Sequence, residues 1–188
     1  MRFSEIPPAP DKKEMRARML SSLRTHFSER RERSRHLCAA VQSLAEWSGA
    51  HTVALFASLP TEPDVKALLT SALASGKRVA LPRIVGRDLE WIQIEGEQDC
   101  GSSPAFAQLQ EPTGTQRIER SELSVILVPG LAFGREGERL GRGGGFYDRA
   151  LALLGPSVHR IGVCYRFQVC TDVPQEPHDE RVHRVITD

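Results

Sequence analysis

Between Val128 and Arg149 the chain reads Val-Pro-Gly-Leu-Ala-Phe-Gly-Arg-Glu-Gly-Glu-Arg-Leu-Gly-Arg-Gly-Gly-Gly-Phe-Tyr-Asp-Arg, its richest run of residues able to do chemistry. Gly141, Gly143, Gly144 and Gly145 lack Cβ atoms, so the backbone can turn through positive φ and point successive N–H groups at an anion. Arg139 and Arg142 supply cations for a polyphosphate. A helix expected from about Phe146 adds its free amides, and Asp148 in its first turn could hold a magnesium ion that bridges phosphate oxygens. The chemistry suggested is the binding of a polyphosphate with its metal. The loop is neither a Walker A loop nor a dinucleotide fingerprint, lacking Gly-Lys-Ser/Thr and a correctly placed GxGxxG. On glycine content alone it reads as a flexible connection as readily as a phosphate cradle, and Asp148 reads also as an acid favoured by the helix dipole.

Other charged residues have a similar double reading. Lys12 and Arg16 lie four apart on one expected helix face, the geometry for two cations gripping one polyphosphate, or else an ordinary solvated face. Glu62 follows a buried strand, where pockets of α/β proteins gather. His178, alone in a polar tail, is left out of the catalytic set, and Trp47 and Trp91 are expected to pack. From Lys12 to Arg35 nine basic residues face three acids, yet the formal net charge is +1 and Phe27 is the sole aromatic of that arm. Nucleic-acid binding through the arm is therefore the weaker reading.

The elements that must position these residues follow from spacing. Residues 1–10, with Pro7, Pro8 and Pro10, are expected as an extended lead-in. Met15, Met19, Leu20 and Leu23 predict a helix. A second, from about Ser28, places Leu37, Val41, Leu44 and Ala45 on one face, with Gly49 as its stop. Thr52 to Leu59 reads as a buried strand, Val65 to Ser75 as a helix ended by Gly76, and Arg78 to Leu81 as a strand stopped by Pro82. Leu89 to Ile94 alternates as a strand, Asp99 to Arg120 reads as loop, and Val125 to Val128 as another buried strand. A helix over Phe146 to Leu154, a strand over Ile161 to Cys164 and a polar tail complete the chain. Strands alternating with helices predict a single α/β domain over residues 1–188, with a mainly parallel sheet flanked by helices.

With 188 residues, 40% apolar and 26% charged, the composition is that of a globular domain with no need of disulfides or structural metal. Cys38, Cys100, Cys164 and Cys170 show no CxxC pair or metal-ligand spacing, so reduced structural thiols are expected. No stretch reads as a membrane span or a signal peptide, and a cytoplasmic location is the expectation.

Taken whole, the string from Val128 to Asp148 resembles the signature of the 5-formyltetrahydrofolate cyclo-ligase family, in which a strand ending Pro-Gly-Leu-Ala/Gly-Phe leads to Arg-Leu-Gly-x-Gly-x-Gly-Tyr/Phe-Tyr-Asp. Lys12 and Arg16 match the family's N-terminal Lys-x-x-x-Arg. Phe56 to Val65 resembles its strand and folate-binding loop, and Pro174 to Asp188 resembles its C-terminal Pro-x-Glu-x-His-Asp segment. The resemblance covers almost the whole chain in the family's order.

The resemblance implies a Rossmann-like sheet of the NagB/RpiA/CoA-transferase kind, and ATP-dependent closure of 5-formyltetrahydrofolate to 5,10-methenyltetrahydrofolate with magnesium. It implies ATP contacts at Lys12, Arg16 and the run Arg139, Leu140, Gly141, Arg142, Gly143, Gly144, Gly145, Phe146 and Tyr147. Substrate contacts are implied at Ala57, Glu62 and Tyr147, metal ligands at Asp148 and Asp179, and catalytic contacts at Arg142 and Tyr147. The partners implied are ATP and the folate, with or without a polyglutamate tail, on a monomer. In the implied route the formyl oxygen attacks the γ-phosphate, and N10 then closes the ring with loss of phosphate. A relative acting on another formyl-amine, or an RNA-binding regulator, are the alternatives. Two positions depart from the pattern: Gly144 stands where many members have lysine, and His183 and Arg184 replace an acid.

Overall fold

Odd and even residues of the same strands feed two separate cores, as a sheet covered on both faces requires. The computed structural model describes residues 11–188, and the expected lead-in over 1–10 lies outside them. In chain order the elements are α1 (Lys12–Thr25), α2 (Arg30–Gln42), α3 (Ala45–Ser48), β1 (Thr52–Ala54), α4 (Lys66–Ala74), β2 (Arg78–Val85), β3 (Asp88–Ile94), β4 (Cys100–Ser102), β5 (Gln110–Pro112), β6 (Arg117–Ile118), β7 (Val125–Val128), β8 (Ala132–Phe133), β9 (Arg139–Leu140), α5 (Phe146–Ala152), β10 (His159–Val163) and β11 (Arg184–Ile186).

Seven strands form one sheet in the order β11-β10-β7-β1-β2-β3-β6. It is parallel from β11 through β2 and antiparallel at β3 and β6, so the mainly parallel α/β expectation holds. Val53, Leu127, Ile161 and Val163 turn to one face and pack with Leu37, Val41 and Leu68 of the helices there. Ala54, Ile126 and Val128 turn to the other, against Phe133, Leu151 and Trp91. A third cluster docks α1: Met15, Met19 and Leu23 pack on Leu131, Leu140 and Tyr165. Burying each of those three side chains contributes roughly 1.5–3 kcal/mol, which fixes the helix carrying Lys12 and Arg16 beside the glycine loop.

Several expected boundaries move. The second helix breaks at Ser43, and Leu44 takes an extended conformation that starts α3 and sends Trp47 into the core. The ladder of β1 ends at Ala54, and the chain then bends into the loop that carries Glu62. Pro82 does not stop β2. The Ala80 carbonyl accepts from Leu55 N–H, so Pro82, two residues on, faces the side that β1 has already left, where no ladder bond is lost. The segment expected as loop contains β4, β5 and β6. The glycine-rich connection contains the β8–β9 hairpin, α5 ends at Ala152, and the polar tail supplies β11.

Candidate active site

The site grows from the carboxyl ends of β1, β2 and β7, where pockets of parallel sheets form. After β7 the β8–β9 hairpin, closed by Leu131 N–H donating to the Leu140 carbonyl at 2.8 Å, returns the chain to the sheet edge with Arg139 buried beneath it. The loop then turns through φ of 106° at Gly143 and 66° at Gly145, the latter capping α5. Both values favour glycine. A Cβ on Gly144 would lie 2.8 Å from the Phe146 ring, so a larger residue at this position requires that ring to shift.

Each charged side chain singled out by the sequence has a defined partner. Arg139 Nη2 donates to Asp148 Oδ1 at 2.5 Å, and Lys12 Nζ donates to Asp179 Oδ2 at 2.6 Å while standing 3.2 Å from Glu176 Oε2. Arg16 Nε donates to the Gly141 carbonyl at 3.0 Å, so α1 grips the loop directly. Arg142 turns the other way. Its Nε donates to Glu62 Oε1 at 3.2 Å and its Nη2 to Thr61 Oγ1 at 2.8 Å. Glu62 is 8% exposed and uses its second oxygen to accept from Leu59 N–H.

Two cavities result. The first, of about 540 Å³, is mostly apolar and is walled by Phe56, Ala57, Leu59, Ile84, Leu89, Phe106, Leu109, Phe146 and Tyr147, with Glu62 and Arg142 at its polar edge. The second, of about 620 Å³, is lined by Lys12, Lys13, Arg16, Leu140, Gly143, Glu176, His178 and Asp179. Arg139, Gly141, Gly145 and Asp148 face both, so the glycine loop is their common wall.

Tyr147 sits in that wall, its ring edge-on to Trp91 at 6.5 Å and under the Arg139 guanidinium at 5.9 Å. Its hydroxyl is buried and has no hydrogen-bond partner among the described residues. Burial pushes the hydroxyl far above its ordinary pKa; the Glu62 carboxylate adds to this and Arg139 opposes it, so Tyr147 stays protonated and able to donate. Burial works to raise the Asp179 carboxyl as well, but the Lys12 ammonium and the Glu176 N–H outweigh it and hold Asp179 below its usual range.

The donor set suits magnesium. Asp148 uses Oδ1 for Arg139 and for Glu180 N–H at 3.5 Å, and Asp179 uses Oδ2 for Lys12 and for Glu176 N–H at 2.6 Å. Among the described residues no hydrogen bond reaches Asp148 Oδ2 or Asp179 Oδ1, and His178 Nε2 stands 4.0 Å from the latter, so each carboxylate keeps one hard oxygen that a cation can take. No group of three His, Cys, Asp or Glu residues is placed to hold a metal by itself, again among the described residues. One or two carboxylates completed by phosphate oxygens is a common arrangement for magnesium.

The structure thus gathers Lys12, Arg16, Arg139, Leu140, Gly141, Gly143, Gly145, Asp148 and Asp179 around the polar cavity, and Ala57, Glu62, Gly144, Phe146 and Tyr147 around the apolar one. Arg142, expected from spacing among the phosphate contacts, lies on the apolar side because Glu62 and Thr61 hold its guanidinium there. Phe106 and Leu109 were hidden in the segment read as loop, where a lone aromatic was the available signal; Glu176 was hidden inside the C-terminal motif. Of the basic arm, Arg30 donates to the Glu62 carbonyl, Arg33 pairs with Glu29 and Asp188, and Arg35 pairs with Glu32, so much of its charge is held within the chain.

Comparison with known proteins converges on one family. The model of the 5-formyltetrahydrofolate cyclo-ligase family matches residues 8–188. A 5-formyltetrahydrofolate cyclo-ligase of Mycolicibacterium smegmatis is 36% identical over 142 residues, covering 72% of this chain and 73% of that protein. A mouse protein of the same name is 24% identical over 187 residues, covering 93% and 92%. The solution structure of an Aquifex aeolicus 5,10-methenyltetrahydrofolate synthetase superposes with a TM-score of 0.82 at 31% identity, covering 93% of this chain and 88% of that one.

Proposed function

This chain belongs to the 5-formyltetrahydrofolate cyclo-ligase family, and from that premise we propose that its two cavities divide the substrates, the reduced folate in the apolar one and the ATP triphosphate in the polar one. The activity is that of the family, an ATP-dependent carbon–nitrogen ligase acting on 5-formyltetrahydrofolate. The observation that carries the division is the shared wall: two cavities of opposite character meet at the glycine loop, where the formyl oxygen and the γ-phosphate would have to meet.

In the polar cavity, Lys12 and Arg16 on one face of α1 set two cations along the triphosphate, and the loop amides near Gly143 and Gly145 add donors without charge. Arg139, fixed over the Tyr147 ring, offers its remaining N–H groups to developing negative charge at the wall. Magnesium would be held by the open oxygens of Asp148 and Asp179, and when bound it neutralises phosphate charge. In the apolar cavity, Leu59, Ile84, Leu89 and Phe146 exclude water from the pterin, the Tyr147 ring walls it, and Glu62 accepts from its polar edge. Arg142 holds Glu62 in place.

The formyl oxygen then attacks the γ-phosphorus, and the bond to the ADP bridging oxygen breaks. The N10 amine adds to the activated formyl carbon and gives up its proton, and loss of inorganic phosphate leaves the methenyl bridge. No side-chain nucleophile is needed, because phosphoryl transfer asks the protein mainly for alignment and charge.

The direct test mixes protein, 5-formyltetrahydrofolate, ATP and magnesium and follows the absorbance band of the methenyl product. Product formation that stops when ATP is omitted is expected. Absence of product with all components present, from correctly folded protein, would overturn the reading.

A further inference from the structure

We propose that Lys12 is the built-in counter-ion of Asp179 in the nucleotide-free protein, and that a metal gains its place only when incoming phosphate draws the ammonium away. The inference rests on the reading of Asp148 and Asp179 as the metal-holding carboxylates. Both already carry a cation, but of different kinds. Arg139 is 3% exposed and pinned between Asp148 and the Tyr147 ring, so it stays. Lys12 is the first residue of α1; its Nζ reaches Asp179 at 2.6 Å and Glu176 at 3.2 Å through a flexible four-carbon stem at the cavity edge.

With Lys12 so placed, a dication approaching Asp179 without nucleotide meets a like charge within one side chain's width, and the carboxylate it seeks is already neutralised. A nucleotide reverses this. Its phosphates enter the cavity that Lys12, Lys13 and Arg16 line and give the ammonium a second acceptor a short swing away. Asp179 then loses its ammonium partner, keeping the Glu176 N–H, beside new phosphate oxygens, and the metal completes the set. Metal and nucleotide affinities are therefore linked, each raising the other by the same factor.

The test uses Mn²⁺ as the probe, with free Mn²⁺ followed by electron paramagnetic resonance. The whole chain is titrated with and without a non-hydrolysable ATP analogue. Wild type should bind Mn²⁺ weakly alone, and with the analogue should take up Mn²⁺ well beyond what the analogue binds in a protein-free control. Lys12→Met, and Lys12→Gln as a second neutral variant, should bind Mn²⁺ without nucleotide at least about tenfold more tightly than wild type, while Lys12→Arg, which keeps the charge, should stay as weak as wild type. Adding Asp179→Asn to Lys12→Met should abolish the gain. Neutral variants that fold by circular dichroism yet bind Mn²⁺ no more tightly than wild type would overturn the proposal alone. Mn²⁺ binding with the analogue that is unchanged in both Asp148→Asn and Asp179→Asn would overturn the metal assignment, and the proposal with it.

Discussion

Arg142 Nε donates to Glu62 Oε1 at 3.2 Å, which ties the glycine loop to the loop that follows β1. On the proposed division of substrates, the arginine therefore acts through a carboxylate on the folate side. Arg142→Ala should raise KM for 5-formyltetrahydrofolate about tenfold, the scale of one charge-assisted hydrogen bond, and leave KM for ATP within about twofold. Steady-state kinetics with each substrate varied separately decides it: a rise confined to ATP would move Arg142 back to the phosphates.

Arg16 stands on the opposite side of the same loop, bonded to the Gly141 carbonyl. Arg16→Ala is expected to raise KM for ATP about tenfold and to shrink the thermal stabilisation that ATP confers, with folate KM little changed. The nucleotide-free melting temperature should move little, since α1 is anchored by Met15, Met19 and Leu23 rather than by this contact.

Asp148 contributes to stability beside the metal-holding role proposed for it, because removing it leaves the buried Arg139 guanidinium without its carboxylate partner. Spacing alone suggests that Asp148→Ala would lower turnover far more than stability; the ion pair adds an expected loss of about 2–4 kcal/mol. Asp148→Asn keeps an oxygen for Arg139, so it should recover part of that stability while kcat remains at least about a hundredfold down. Denaturant titration beside kinetics separates the two effects. An Asn variant with wild-type turnover would remove Asp148 from the chemistry.

His183 gives the fold a pH dependence. Arg160 N–H donates to His183 Nδ1 at 3.2 Å, so the ring must be neutral at that nitrogen. Burial, then the charges of Arg160 and His159, lowers its pKa from the ordinary 6.5. Between the folded and unfolded values the unfolded chain binds a proton that the folded chain does not. The contribution is therefore complete above about pH 6.5 and is lost as pH falls through the folded value. Melting temperature should decline on acidification below about pH 6.5, and less steeply in His183→Gln. Equal slopes would show that other groups set the decline.

What spacing could reveal was local. The helical repeat of Met15, Met19 and Leu23, the apolar run of Val125 to Val128, and the glycine loop with Asp148 were all legible, because each is settled by its own residues. The β4–β5 hairpin was not: each strand is three residues long, and the pair is held by Ser103 Oγ donating to the buried Glu111 carboxylate, a contact that no periodicity announces. Strand β11 was hidden because Arg184, Val185 and Ile186 become a strand only by pairing with β10, far back in the chain. The direction of Arg142 was illegible for a related reason. A long side chain on a glycine-rich loop can reach either way, and it is Glu62, eighty residues earlier, that decides.

Because Arg139, Gly141, Gly145 and Asp148 front both chambers, a substitution at any of them should disturb folate and nucleotide kinetics at once. Selection acting on one substrate is then confined to the outlying residues, such as Leu59 and Phe106 of the apolar chamber or Lys13 of the polar one. Variation among relatives should accordingly concentrate at the periphery of each chamber, with the partition between them the slowest part of the molecule to drift.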